Sequence, residues 1–203
     1  MPSAERYGLS VDLDKWVVSN LMKSLDETAL PSGNTRRFWV NLSGSSLGDP
    51  EFSRFLIELI KNSKLLRGTI SFEITETVVI RNMSNARQLI DELRELGCEI
   101  ALDDSGTGLS SLLYLKTLNI DYVKIDGSFV KDISTDVVNW LFVKSTIDIA
   151  HHLGIKAVAE YVENDGIRDI VASLGADYGQ GFGIHCPTDL VEGIPVPNAN
   201  YAG

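Results

Sequence analysis

Ile100-Ala-Leu-Asp-Asp-Ser-Gly-Thr-Gly-Leu109 decides the reading of this chain. An apolar run delivers two adjacent carboxylates, Asp103 and Asp104, into a glycine-rich turn, the pattern of a strand that ends in a ligand loop. Neighbouring aspartates repel, so two together at the buried end of a strand are favourable only when a cation or strong donors neutralise them. A divalent metal is the simplest such partner. Gly106 and Gly108 permit a tight turn with positive φ, and Thr107 can hydrogen-bond the backbone of that turn. The same residue types are ordinary turn formers, and on this stretch alone a solvated turn accounts for them equally well. The other strand ends decide between the two.

On the N-terminal side, Leu13, Trp16, Val17, Leu21 and Leu25 predict a helix that Leu30-Pro-Ser-Gly33 ends. Arg37-Phe-Trp-Val-Asn-Leu42 reads as a strand, 43–48 as a loop, and Asp49-Pro50 as the start of a helix carrying Phe52, Phe55, Leu56, Leu59 and Ile60. Thr69 to Ile74 is the next strand, and Ser84 can cap a helix through Ala86, Leu89, Ile90 and Leu93 that stops at Gly97. Cys98 to Leu102 is the third strand. Beyond the aspartates come a brief helical turn near 111–116, a strand at Tyr122–Ile125, and a helix through Trp140, Val143, Ile147 and Ala150 closed by Gly154. Lys156 to Ala159 is a fifth strand, Ile167, Ile170, Val171 and Leu174 form a helix face before Gly175, and 176–179 is a weak sixth strand. The tail from Pro187 reads as irregular capping structure. The three tryptophans lie on apolar periodicities and are most simply core.

Strands alternating with helices predict a parallel sheet with helices outside it, either an open doubly wound sheet or a closed barrel. Nearly every strand ends in a chemically loaded residue: Asn41, Glu73, Asp103 with Asp104, Lys124 with Asp126, Glu160 and Gln180. In a (β/α)8 barrel those ends converge on one face, whereas an open sheet spreads them along a line. Any one of them is more simply a satisfied structural group. Six in register favour the α/β barrel.

At 203 residues and 44% hydrophobic, the chain buries a core sufficient for one domain spanning 1–203. Its 28 acidic and 18 basic residues give a net charge of -10, which argues against a DNA or RNA polymer as partner. Cys98 and Cys186 form no framework or zinc spacing and read as two free thiols in a reducing compartment. No apolar stretch reaches spanning length, and the start lacks the apolar core of a signal peptide, so a cytoplasmic, soluble protein without membrane insertion is expected.

The motifs Val40-Asn-Leu-Ser43, Phe72-Glu-Ile-Thr-Glu76, Ala101-Leu-Asp-Asp-Ser-Gly-Thr-Gly108, Val123-Lys-Ile-Asp126, Val158-Ala-Glu-Tyr-Val-Glu163 and Gln180-Gly-Phe182 occur in this order. Together they resemble the EAL-domain family of bacterial cyclic di-GMP phosphodiesterases over essentially the whole chain. The resemblance implies a TIM-like barrel that holds one or two divalent cations and hydrolyses cyclic di-GMP to linear pGpG. It implies that Asn41, Glu73 and Asp103 ligate a first metal, and that Asp103 bridges to a second with Asp104 and, directly or through water, Glu160. Lys124 then contacts the attacking water or the phosphate, Gln180 orders the water network, Glu76 anchors the Asp-Asp loop, and Glu163 meets a guanine edge. The chemistry agrees: two metals about 3.5–4 Å apart activate a bridging water and stabilise attacking and leaving oxygens. An oxygen-rich ligand set without histidine suits Mg2+ or Mn2+ rather than zinc.

Three departures qualify the resemblance. No Glu-Ala-Leu motif, whose Glu is a further ligand of the first metal, precedes Asn41. The chain is therefore expected to begin partway into the domain, as a barrel incomplete at its N-terminus with about six of eight strands. Two exposed edges predict a homodimer or a partner chain, a rearranged start, or poor stability. Ser105 stands where the family usually has Phe, which loosens the ligand loop, and Tyr161 stands where it usually has Gly, which narrows the guanine pocket or stacks on the base. The expected function is thus a weakened or inactive phosphodiesterase module; the alternative is a catalytically degenerate cyclic di-GMP receptor or protein-interaction module in bacterial signalling. Among smaller signals, Gly106 to Ser111 lacks the spacing of a dinucleotide loop, His151-His152 suits a helix C-terminus better than a metal, and His185 reads as a surface residue.

Overall fold

Strand-forming and helix-forming segments alternate as their periodicities require. The computed structural model describes residues 6–27, 37–81, 83–105 and 115–188. Helix α1 (Ser10–Glu27) precedes β1 (Phe38–Leu42), followed by α2 (Gly44–Leu47), α3 (Pro50–Lys61), β2 (Ile70–Thr75), α4 (Glu76–Arg81) and α5 (Met83–Glu95). Then come β3 (Glu99–Ser105), β4 (Tyr122–Ile125), α6 (Gly127–Val130), α7 (Val137–His152), β5 (Lys156–Ala159), α8 (Asp165–Leu174) and β6 (Tyr178–Gly179). The six strands pair in sequence order, β1-β2-β3-β4-β5-β6, and every pairing is parallel. Such an order with helical crossovers is the arrangement of a (β/α) barrel wall rather than of a doubly wound sheet, whose order reverses at a switch point. The fold is an incomplete TIM-like barrel, with six strands among the described residues, as expected from the sequence.

Successive strand residues face opposite sides of the sheet. Leu42, Phe72, Ile74, Ile100, Leu102, Val123, Ile125 and Ala159 face the helices and join them in the main core. The other side carries a small second cluster, Ala101, Tyr122 and Val158, below the site residues. Polar caps set where the helices start. Asp49 accepts from the backbone N–H groups of Glu51 and Phe52 ahead of α3, Asp136 from those of Val138 and Asn139 ahead of α7, and Asn164 from that of Ile167 ahead of α8. Gly175, at φ 96°, ends α8 in the left-handed conformation that glycine tolerates best.

Several expectations need correction. The segment read as a loop at 43–48 contains α2, because buried Asp14 of α1 accepts from Ser43 N at 2.8 Å and Ser46 Oγ at 2.7 Å, ordering a turn that Ser43 caps. Helix α5 begins at Met83, so Ser84 lies inside it rather than capping it. The tryptophans are not core: Trp16 is 63% exposed and Trp39 and Trp140 are 37% exposed. Trp16 falls opposite the buried stripe of Asp14, Val18, Met22 and Leu25, which a spacing of 3.6 residues per turn dictates. Strand β3 runs three residues past Leu102, to Ser105, and so includes both aspartates. The helical turn read near 111–116 falls largely, and the tail beyond 188 wholly, outside the described residues. Both cysteines are free, Cys98 buried and Cys186 exposed; burial pushes the Cys98 thiol up to about 11 against the opposing pull of Arg67.

Candidate functional site

The site is built on alternation. Asn41 and Glu73 are register partners on β1 and β2, and Thr75 pairs with Asp103. A regular strand would send Asp103 and Asp104 to opposite faces. The β3–β4 register shifts between Leu102 and Ser105, and Asp104 takes a φ of 56°. The bulge turns the second carboxylate toward the first, and one oxygen each of Asp103, Asp104 and Glu160 lie within 4.8 Å of one another. It is a departure from strand geometry, placed at the site, that makes an adjacent pair usable.

Lys124 sits at the centre, on β4, and is buried. Its ammonium donates to Glu73 Oε2 at 2.9 Å and lies 3.1 Å from Asp103 Oδ1 and 2.7 Å from Glu160 Oε1. An ammonium has three protons, and three carboxylates surround this one. Burial opposes its charge, yet Glu73, Glu160 and Asp103 outweigh that and hold its pKa above the usual lysine range. Burial lifts the Glu160 carboxyl above its ordinary range, with Asp103 and Glu73 adding to the rise and Lys124 opposing it. Asp104 is lifted chiefly by burial, then by Asp103 and Asp126, again against Lys124. One cation facing four carboxylates leaves a net negative charge made entirely of hard oxygen donors, which fits a divalent ion of the magnesium type.

Beside this cluster lies a cavity of about 560 Å³ lined by Arg37, Trp39, Glu73, Tyr122, Lys124, Val158 and the start of β6 through Gln180. Its floor is aromatic. Trp39 meets Tyr122 edge to face with centroids 4.9 Å apart, and the Tyr122 hydroxyl donates to Glu99 Oε2 at 3.0 Å while Arg37 pairs with Glu99 at 2.6 Å. Burial, reinforced by Glu99, raises the Tyr122 phenol above its usual range, so it stays a neutral donor. A second cleft, of about 210 Å³, is lined by Glu160, Tyr161, Glu163, Gln180, Gly181 and Phe182.

The EAL domain family model matches residues 1–187. This chain belongs to the EAL domain family. It is 37% identical over 194 residues to the cyclic di-GMP phosphodiesterase PdeF of Escherichia coli, an alignment covering 95% of this chain and 26% of that protein. With the cyclic di-GMP phosphodiesterase PdeB of Shewanella oneidensis it shares 35% identity over 205 residues, 98% of this chain and 22% of that one. The chain thus spans about a quarter of the length of these curated relatives. Among solved structures, the FimX EAL domain from Pseudomonas aeruginosa bound to c-di-GMP superposes with a TM-score of 0.83 at 30% identity, over 92% of this chain and 74% of that chain.

Within this EAL domain, the structure brings Asp103, Asp104 and Glu160 together, and ties Glu73 to Asp103 and Glu160 through Lys124. Asn41 is exposed beside Glu73, and Gln180, also exposed, borders both cavities. Glu76 is buried at the start of α4, but 106–114, the loop it is expected to anchor, lies outside the described residues. Ser105 is buried and donates to the Leu102 carbonyl, outside the lining of either cavity. Tyr161 and Glu163 share the smaller cleft. Among the described residues no histidine joins the acidic cluster: His151 pairs with Asp177 at 2.9 Å, and His185 is exposed. The aromatic floor escaped the sequence reading, although Trp39, Tyr122 and Tyr178 each stand two residues before a site residue, the spacing that puts both on one face.

Proposed function

We propose that this chain, as one domain over 1–203, carries the metal-dependent phosphodiesterase chemistry of its family, cleaving cyclic di-GMP to linear pGpG at a reduced rate. The observation that carries the reading is the convergence of Asp103, Asp104 and Glu160 around Lys124 in an EAL domain. Asp103, Asp104 and Glu160 would hold one ion, with Asn41 and Glu73 beside Asp103 as ligands of a second. Bound there, Mg2+ or Mn2+ supplies the Lewis acidity that makes a water nucleophilic and offsets charge on the phosphoryl oxygens. Lys124 keeps the carboxylates in register and lends positive potential to the phosphate, Glu160 stands where it can accept a proton from water, and Gln180 offers amide contacts to the water network. The test is conversion of cyclic di-GMP by purified protein at high concentration with either metal, beside Asp104→Asn. Product that falls to background in the variant supports the reading, whereas folded protein that yields no product removes catalysis by this chain.

A receptor reading stands second, favoured by the saturation of the Lys124 ammonium by three carboxylates and by the FimX EAL domain solved with c-di-GMP bound. It predicts binding without product. Among the described residues no strand covers the outer edges of β1 and β6, and no helix is long and apolar enough to cross a membrane. We infer a cytoplasmic protein whose free edges pair with a second copy or a partner chain, with no nucleic-acid polymer as partner given the net charge of -10. Light scattering on the purified chain is expected to give a dimer or larger species, and a monomer at micromolar concentration would rule out self-pairing.

A further inference from the structure

Arg94-Glu-Leu-Gly-Cys-Glu-Ile-Ala-Leu-Asp-Asp104 runs from the end of α5 through β3, and His151-His-Leu-Gly-Ile-Lys-Ala-Val-Ala-Glu-Tyr161 runs from the end of α7 past β5. Aligned end to end, the two stretches share a Leu-Gly pair and set Asp103 opposite Glu160. Their backbones match as well. Gly97 and Gly154 have φ of 88° and 74°, and each donates its N–H to the carbonyl three residues back, that of Arg94 or His151. The non-glycine residues with positive φ among the described residues, Asp104 at 56° and Tyr161 at 58°, fall at the same place. The strands that follow repeat too: Leu118-Asn-Ile-Asp-Tyr-Val-Lys124 enters β4 and Leu174-Gly-Ala-Asp-Tyr-Gly-Gln180 enters β6, with Lys124 opposite Gln180.

One set of contacts repeats with them. Asp121 N donates to the Ile100 carbonyl at 2.9 Å, its Oδ2 accepts from Ile100 N at 2.9 Å, and its Oδ1 lies 2.8 Å from the Arg94 guanidinium. Asp177 N donates to the Ala157 carbonyl at 2.9 Å, and its Oδ2 accepts from Ala157 N at 2.8 Å and lies 2.9 Å from His151 Nε2. Ile100 and Ala157 are equivalent positions of the repeat, as are Arg94 and His151. Each aspartate thus clasps the start of its strand both to the neighbouring strand and to the end of a helix. The two pairings so clasped are the ones whose ladders are broken or short. The β3–β4 register shifts between Leu102 and Ser105, and β5–β6 has two register pairs, against five in each of β1–β2 and β2–β3.

We infer, on the site reading above, that these are two copies of one structural unit and that Asp121 and Asp177 are its positioning residues, fixing the register that sets Lys124 against Asp103 and Gln180 beside Glu160. Ile100 and Ala157 stand three residues before Asp103 and Glu160, and Asp121 and Asp177 three before Lys124 and Gln180. Three residues of strand span about 10 Å, so each clasp lies outside the site and acts on it through the main chain. A slip of one residue would turn Lys124 or Gln180 to the other face of the sheet. Such a slip must first unpair a carboxylate from a main-chain N–H and from a cationic side chain, which is where a short ladder gains its resistance. The copies differ at the positions that this shared register presents: Asp103, Asp104 and Lys124 in one, Glu160, Tyr161 and Gln180 in the other.

The test measures amide hydrogen exchange by NMR and calorimetric titration with manganese alone, on the full chain, at a temperature where every variant is folded. Asp121→Ala is expected to speed exchange of the Lys124 amide about tenfold and to leave that of Gln180 within about twofold, and Asp177→Ala to do the reverse. Manganese affinity is expected to fall about tenfold in Asp121→Ala, where Asp103 loses its fixed height against Lys124, and to stay within about twofold in Asp177→Ala, because Gln180 stands outside the acidic cluster. Asp121→Asn and Asp177→Asn keep an oxygen for the strand N–H and are expected to restore each exchange rate to within about threefold of the parent. Equal acceleration of both amides in both Ala variants would mean a general loss of stability and would overturn the inference. So would a failure of the Asn variants to restore exchange, or manganese binding unchanged in Asp121→Ala. If Asp121→Ala does not fold, the Asp177 pair of variants decides by the same readings. Parent protein that binds no manganese would remove the metal reading, and the exchange pattern alone would then uphold or overturn the positioning roles.

Discussion

Lys124→Met is expected to lower the melting temperature at neutral pH by about 10 °C, and to recover most of that loss on addition of magnesium or on acidification toward pH 4. The ammonium is buried against Glu73, Asp103 and Glu160, all within 3.1 Å. Removing one partner of a buried ionic cluster costs about 3–5 kcal/mol, because the carboxylates left behind remain desolvated and now repel. Glu160 is already raised above its ordinary range with Lys124 present, and the substitution raises it further. A carboxyl whose folded pKa exceeds its unfolded value favours the folded state at low pH and loses that contribution as pH climbs through the folded value. The deficit of the variant must therefore grow with pH and be smallest below about pH 4, where the unfolded chain also holds these protons. Magnesium acts by the same logic, since a divalent cation among the carboxylates replaces the missing charge. Thermal melts across pH 4–8, with and without metal, read all of this at once. A deficit independent of pH and metal would mean that Lys124 contributes by packing, and would remove the electrostatic basis of the site.

The strand positions and most helix positions were legible because they depend on local signals: alternation in Phe72 to Ile74, the Asp49-Pro50 start, the Gly175 stop. The site was legible through the repeated placement of a polar residue at each strand's carboxyl end, which the structure turns into proximity of Lys124 with Glu73, Asp103 and Glu160. What the sequence hid was decided by partners distant along the chain. Asp14 is a charged residue on an amphipathic helix, yet it is buried because Ser43 and Ser46 bring it donors from beyond β1. Trp39 reads as core because an apolar neighbour flanks it on each side, and only the openness of the concave face leaves it exposed. The bulge at Asp104 is likewise invisible to periodicity, since nothing in two adjacent aspartates says which way the second will turn.

Gly181→Ala is expected to cost about 3 kcal/mol or more, whereas Gly154→Ala should cost about 1–2 kcal/mol, although both glycines have positive φ. The values are 152° and 74°, and what separates the two sites is the space around them. Nothing lies within 4 Å of a Cβ built at Gly154, so that substitution meets only the backbone preference. At Gly181 the same atom would stand 2.5 Å from both Val162 N and Val162 O, main-chain atoms that no change of rotamer can withdraw. Relief requires parting the two segments that follow β5 and β6, which breaks the bond from Val162 N to the Gln180 carbonyl and the bond from Gly183 N to the Val162 carbonyl. Those two bonds extend the β5–β6 pairing beyond its short ladder at Val158 and Ala159, and they hold Gln180 beside Glu160. Urea denaturation of the two variants compares the terms directly. Ligand binding then separates stability from function: at equal fractions folded, Gly181→Ala should bind cyclic di-GMP more weakly than Gly154→Ala, because only the first moves the wall shared by the cleft and the carboxylate cluster. Equal destabilisation of the two variants would show that the close approach of 181 to Val162 is not a constraint on the fold, and the cleft would lose its rigid side.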